Sequence, residues 1–169
     1  MIINGIMNTL HGEKDSRAGK AGPDEPFYAG GLCFSCTRCS ACCRFEPGYV
    51  FLSKIDADIL AGFLNMDYTE FIETYCRWIT GYGGKARLSL KEKANYDCIF
   101  WKKGCTVYAG RPRQCRTFPF WPEVLRTAES WDDAARSCPG IGKGRRYDRS
   151  YIELQLAERQ MDPVMEKAP

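Results

Sequence analysis

Cys36, Cys39, Cys42 and Cys43 lie within a run of eight residues, and Cys98, Cys105, Cys115 and Cys138 follow later in the chain. Thiolates two residues apart can turn back on one centre, so a short loop can present several soft ligands before long-range structure exists. The chemistry this spacing points to is metal ligation, with the metal contributing to folding.

Two plainer readings compete with it. Ten cysteines in 169 residues would suit a disulfide framework, but such frameworks usually staple secreted chains shorter than about 80 residues. Residues 1–10 have no basic region followed by a continuous apolar core, so no export signal is legible. Buried, inert thiols are the second alternative, because cysteine is among the most buried residue types. That reading suits Cys76, four residues after Ile72 on an expected helix, and Cys33 also stands outside the preferred ligand set. Spacing and compartment favour metal ligation for the other eight, in a reducing cytoplasm.

Composition limits the partners. The formal charge of +3 treats every cysteine as neutral, and eight thiolates holding two dications would bring it to about −1. A basic balance of that origin is poor support for nucleic acid, and no recognition motif is legible. No run reaches the roughly 18 apolar residues of a membrane span. The single histidine, His11, lies in a polar stretch and reads as solvated, which leaves no Ser-His-Asp arrangement for hydrolysis. The expected partner is an unidentified protein or small molecule, with no nucleic acid and no membrane.

Elements must carry these thiols. Residues 1–31 read as a loosely ordered leader rich in Gly, Lys, Asp, Glu and Pro, and residues 32–165 as one cysteine-cluster domain. Tyr49 to Leu52 is a short apolar run. Ser53 with Asp56 opens a helix over Lys54 to Met66, with Ile55, Ile59, Leu60, Phe63 and Leu64 on its apolar face. Asp67 with Glu70 opens a second, striped by Tyr68, Phe71, Ile72, Tyr75 and Ile79 and closed by Gly81 to Gly84. Ala86 to Leu90 alternates as a strand does. Cys98 to Trp101 and Cys105 to Tyr108 read as a hairpin around Lys102 to Gly104. Pro112 starts one helical turn carrying Cys115, and the prolines of Phe118 to Pro122 exclude regular helix there. Gly140 to Gly144 reads as a turn, followed by a last helix opened by Ser150 with Glu153. The expected fold class is α+β: a small single domain with a helical pair, a short antiparallel hairpin, a terminal helix and extensive loops around the cysteine metal sites.

The residues leave two ligand schemes open. Cys36, Cys39 and Cys42 resemble the front of a ferredoxin run, completed by the remote Cys138-Pro139, which favours an iron–sulfur cluster. Zinc would more naturally take Cys36 and Cys39 together with Cys98 and Cys105. Adjacent Cys42 and Cys43 point apart in extended backbone, so each can serve a different centre, and eight cysteines fill two four-coordinate sites. Arg38, Arg44, Arg111, Arg113 and Arg116 crowd these segments and suit charge compensation of thiolate-rich sites.

The ordered series Cys36-x2-Cys39-x2-Cys42-Cys43-Arg44, Cys98-Ile-Phe, Cys105-x2-Tyr108, Arg111-Pro112-x2-Cys115-Arg116, Phe118-Pro119-Phe120 and Cys138-Pro139-Gly140 resembles the YkgJ-type cysteine-cluster (CxxCxxCC) family of bacteria. That resemblance covers about Phe34 to Gly144. It implies a zinc- or iron-chelating domain, distantly similar to flagellin lysine N-methylase, with Cys36, Cys39, Cys42, Cys43, Cys98, Cys105, Cys115 and Cys138 as metal ligands. Ser40 stands where the family commonly has glycine. The resulting expectation is a cytoplasmic metal-binding protein holding an iron–sulfur cluster, with a redox or methyl-transfer-associated role where a site is open. The alternative is a noncatalytic zinc module for protein interaction; no catalytic residue is assigned in either case.

Overall fold

The computed structural model describes residues 25–44, 46–80 and 84–167. The expected leader up to residue 24, His11, and most of the Gly81 to Gly84 turn lie outside the described residues. Among the described residues, five helices and two small antiparallel sheets form a mixed α/β domain, as the sequence leads one to expect. Two hydrophobic clusters hold it together.

The first cluster lies under helices α1 (Lys54–Phe63) and α2 (Tyr68–Tyr75), which pack on each other. Ser53 and Asp56 close a capping box at the start of α1: the Asp56 amide donates to Ser53 Oγ at 3.0 Å and the Ser53 amide to Asp56 Oδ2. Asp56 must then face inward, where its other oxygen accepts from the Arg113 amide at 2.7 Å. This fixes the helix rotation. Asp56, Ala57, Leu60 and Ala61 are buried, whereas Ile55, Ile59 and Phe63, expected on the core face, are 52%, 40% and 48% exposed.

Asp67 caps α2 through the amides of Thr69 and Glu70. This helix stops after two turns, because Trp78, Ile79 and Thr80 belong to a strand-forming run. Strand β2 (Cys76–Thr80) pairs with β3 (Ala86–Leu90), so Cys76 and Ile79, expected on the second helix, are strand residues. Cys76 is buried in the core as expected. The edge of β3 also carries β5 (Glu166–Lys167), giving the order β2-β3-β5. Leu60, Phe71 and Leu88 are fully buried here, each worth about 1.5–3 kcal/mol of hydrophobic stabilisation.

The expected hairpin at Cys98 to Tyr108 does not form as two strands. Single bridges, Glu92 to Cys98 and Trp101 to Cys105, replace it. Lys103 and Gly104 both take positive φ, 57° and 143°, in a tight reversal that leaves no room for a ladder. A 3-10 turn at Tyr108–Gly110 leads to α3 (Arg113–Thr117), the expected turn after Pro112. Phe118-Pro119 is a cis peptide.

The second cluster joins Phe120, Leu125, Trp131, Ile141 and Ile152, with Phe27 and Tyr28 packed against it. Helix α4 (Ala128–Ser137), absent from the expectation, is capped by Thr127 and buries only Trp131. Strand β4 (Ile141–Tyr147) pairs with β1 (Leu32–Phe34) where a simple turn was expected. Gly142 and Gly144 nonetheless take the left-handed φ of turn glycines, 76° and 74°. The last helix, α5 (Arg149–Met161), is capped by Asp148 rather than Ser150, its carboxylate accepting from the Tyr151 amide at 2.8 Å. No helix among the described residues is long and apolar enough to cross a membrane.

Candidate metal centre

The cysteine run folds as a loop with two left-handed residues, Arg38 at φ 56° and Ser40 at φ 63°, leading into a 3-10 turn at Ala41–Cys43. Left-handed backbone is glycine's natural territory, which accounts for the glycine expected at position 40. The turn overrides the extended geometry that would have pointed Cys42 and Cys43 apart. Their Sγ atoms lie 3.8 Å from each other. Two sulfurs about 2.3 Å from a tetrahedral metal stand about 3.8 Å apart, so this pair already has coordination spacing and thiolates fit the group.

Backbone contacts deliver the other thiols. The Cys98 amide donates to the Cys43 carbonyl at 2.8 Å, tying the later cysteine segment to the first loop. Cys105 follows through its bridge with Trp101. Cys115 rides on α3, whose first amide is held by Asp56 of α1. Cys36 and Cys138 are brought alongside through their neighbours: the Ser35 amide donates to the Gly140 carbonyl at 3.1 Å. A Cβ on Gly140 would meet Ser35 O at 2.3 Å, and one on Gly144 would meet Ser35 Oγ at 2.0 Å. Glycine is required at both positions for the strands to approach.

Electrostatics show which thiols are neighbours. The hydrogen bond shared by Cys42 and Cys43 lowers the Cys42 thiol to about 6, with help from the Arg111 charge, against the opposing effect of burial. Cys43 is correspondingly pushed up, first by that hydrogen bond, then by burial and by the charges of Cys42, Cys115 and Cys98. Burial, then Cys98, Cys42 and Cys105, pushes Cys115 up. Burial is also the main cause of the upward shifts of Cys98, Cys105 and Cys138; Cys138 further feels Cys39 and Cys42. These charges couple Cys42, Cys43, Cys98, Cys105 and Cys115 into one neighbourhood, to which Cys138 is linked through Cys39 and Cys42. Among the described residues no group of three or more His, Cys, Asp or Glu side chains is placed so that it could hold a metal ion.

Cys76 stands apart in the core, its thiol pushed up to about 12 by burial. Cys33 sits on β1 opposite Arg146. The arginines divide: Arg111 stacks 3.5 Å from the Tyr108 ring centre and lends its charge to Cys42, Cys105 and Cys115, while Arg38 lies 4.5 Å from the same ring. Arg113 instead pairs with Asp162 at 3.0 Å. Arg116 donates to the Arg111 carbonyl.

Sequence reasoning missed the cleft beside the thiols. It encloses about 600 Å³, with Cys42, Cys43, Cys98 and Cys115 on one side and Tyr49 and Trp121 among its aromatic walls. It also missed Asp97, which is only 3% exposed and bound to Arg44. An aspartate next to a cysteine is a signal only once Arg44 is known to be its neighbour.

Residues 35–139 match the family described as CxxCxxCC, "Putative zinc- or iron-chelating domain". The chain belongs to this family. Uncharacterized protein MJ0661 of Methanocaldococcus jannaschii is a relative of this cysteine-cluster domain, 31% identical over 141 residues, covering 76% of this chain and 71% of that one. No solved structure matches. Membership supports metal binding by the cysteine-cluster domain and leaves the choice between zinc and iron open.

Proposed function

We propose that this chain is a thiolate metal protein of the reducing cytoplasm whose centre is an iron–sulfur cluster beside an open cleft. The observation that supports the reading is that Cys42 and Cys43 of the first loop line that cleft together with Cys98 and Cys115. Closed zinc sites shield their metal within four ligands, whereas here the thiols border space for a small molecule. Cys42 and Cys43 would anchor the centre, with Cys36, Cys39, Cys98, Cys105, Cys115 and Cys138 as the further candidate ligands. An iron–sulfur cluster supplies one-electron chemistry, with a potential sensitive to hydrogen bonding and solvent exposure. Such a cluster supports a redox or methyl-transfer-associated role.

The protein's own part is electrostatic. The hydrogen bond between Cys42 and Cys43, with the Arg111 charge, favours a thiolate in that pair at neutral pH, which would be the first anchor for a cation. Cys98, Cys105, Cys115 and Cys138 hold their protons there and release them as metal binds. Arg111, fixed by Tyr108, offsets the accumulated negative charge.

A structural zinc site is the second reading, favoured by the 3.8 Å spacing of Cys42 and Cys43. Anaerobic purification followed by iron, zinc and acid-labile sulfide counts per chain separates the two. Iron with matching sulfide and visible charge-transfer absorption is expected. Colourless protein that keeps stoichiometric zinc when iron is supplied would defeat the cluster reading.

A further inference from the structure

The dipeptides Cys43-Arg44 and Asp97-Cys98 run side by side. Their inner residues share the 2.8 Å hydrogen bond from the Cys98 amide to the Cys43 carbonyl. Their outer residues share an ion pair, Arg44 Nε donating to Asp97 Oδ1 at 3.1 Å. The second oxygen of Asp97 accepts from the Asn95 side-chain amide at 2.9 Å, and the Asp97 carbonyl from the Lys93 amide at 2.8 Å. The carboxylate is thus fixed from its own loop. The Arg44 guanidinium lies 3.7 Å from the Trp101 ring centre, and Trp101 bridges to Cys105. One side chain therefore braces residues adjoining Cys43 and Cys98 and the residue bridged to Cys105.

A buried ion pair is a weak source of stability compared with apolar packing of the same volume. What it provides is a definite geometry, because a guanidinium that is both stacked and hydrogen-bonded has little freedom. Both partners also immediately adjoin thiols of one neighbourhood. We propose that Arg44 and Asp97 form a positioning latch that keeps Cys43 beside Cys98 so that both thiols can serve one metal. This inference rests on the thiolate-metal reading above and goes beyond it by naming residues that do not touch the metal yet set its affinity. Groups that orient metal ligands from behind typically govern 10–100-fold of affinity.

The test uses the full chain loaded with zinc and challenged by graded chelator, and the same chain loaded with cobalt(II), whose spectrum reports the number of thiolate ligands. Arg44→Gln and Asp97→Asn are each expected to weaken zinc retention by roughly 10–100-fold and to reduce the thiolate signature of cobalt. The double variant is expected to be no worse than the weaker single, because the pair acts as one unit. Arg87→Gln breaks the exposed Arg87–Glu166 pair between β3 and β5 and should change retention by less than about twofold. Should Asp97→Asn fail to fold, Arg44→Lys decides alone: it keeps the charge but loses the planar fork, and an intermediate loss with fewer thiolates is expected. A general loss of stability would lower melting without removing sulfur from the cobalt site. Full thiolate spectra and zinc retention within about twofold of the parent would overturn the latch. A parent chain that takes up neither zinc nor cobalt and holds no iron or acid-labile sulfide would remove the thiolate-metal reading itself, and the latch with it.

Discussion

Ser40 pays for the cysteine loop with backbone strain, since φ 63° is held by a residue with a Cβ and its hydroxyl makes only a long 3.5 Å contact to the Arg38 carbonyl. Ser40→Gly should relieve that strain and raise stability by up to about 1 kcal/mol, read as a higher melting temperature with metal content unchanged. A lower melting temperature would show that the turn does not need the left-handed residue. Cys76 gives the opposite contrast at the same scale. Its thiol is buried against the first cluster, so Cys76→Ser should cost about 1–3 kcal/mol by burying a hydroxyl while metal content stays constant. Loss of metal from that variant would redraw the ligand set. Spacing reports local reach and separates eight candidate ligands from Cys33 and Cys76, whereas the side-by-side placement of Cys42 and Cys43 depends on the 3-10 turn that spacing alone does not reveal.

At the scale of elements, Asp56 connects a helix cap to the turn that carries Cys115. It closes the box at α1 and receives the first amide of α3, which carries Cys115. Asp56→Ala should therefore cost about 1–3 kcal/mol, the loss of a cap plus an orphaned buried amide, and should also weaken metal retention by displacing α3. Urea unfolding and chelator challenge on the same variant check the two effects, and destabilisation with unaltered metal retention would sever the connection. Capping residues made α1 and α2 legible, and proline made α3 legible. The core face of α1 was not, because the inward aspartate, rather than the isoleucines, set its rotation. Helix α4 was invisible for a related reason: one buried residue, Trp131, makes no periodic stripe. The pairing of β1 with β4 was hidden because five successive residues of β4 are exposed, and its glycines signalled a turn truthfully without indicating a strand partner.

For the whole molecule, the two hydrophobic clusters leave the cysteine segments between elements drawn from both, so metal should act as a third tie. Chelation of the loaded chain should lower its melting temperature, and protease should then cut the cysteine loop faster. The upward shifts of Cys98, Cys105, Cys115 and Cys138 set the sign of the pH dependence. These thiols hold protons at neutral pH that metal must displace, so affinity should rise as pH rises from about 6 to 9. Calorimetric titration in buffers of different ionisation enthalpy would count the protons released, and a pH-independent affinity would mean that thiols are not the ligands.

X-ray absorption at the metal edge of the anaerobically purified chain tests the thiolate centre most directly. The account predicts a shell of sulfur at about 2.3 Å with close to four sulfurs per metal. A shell of oxygen or nitrogen alone would contradict it.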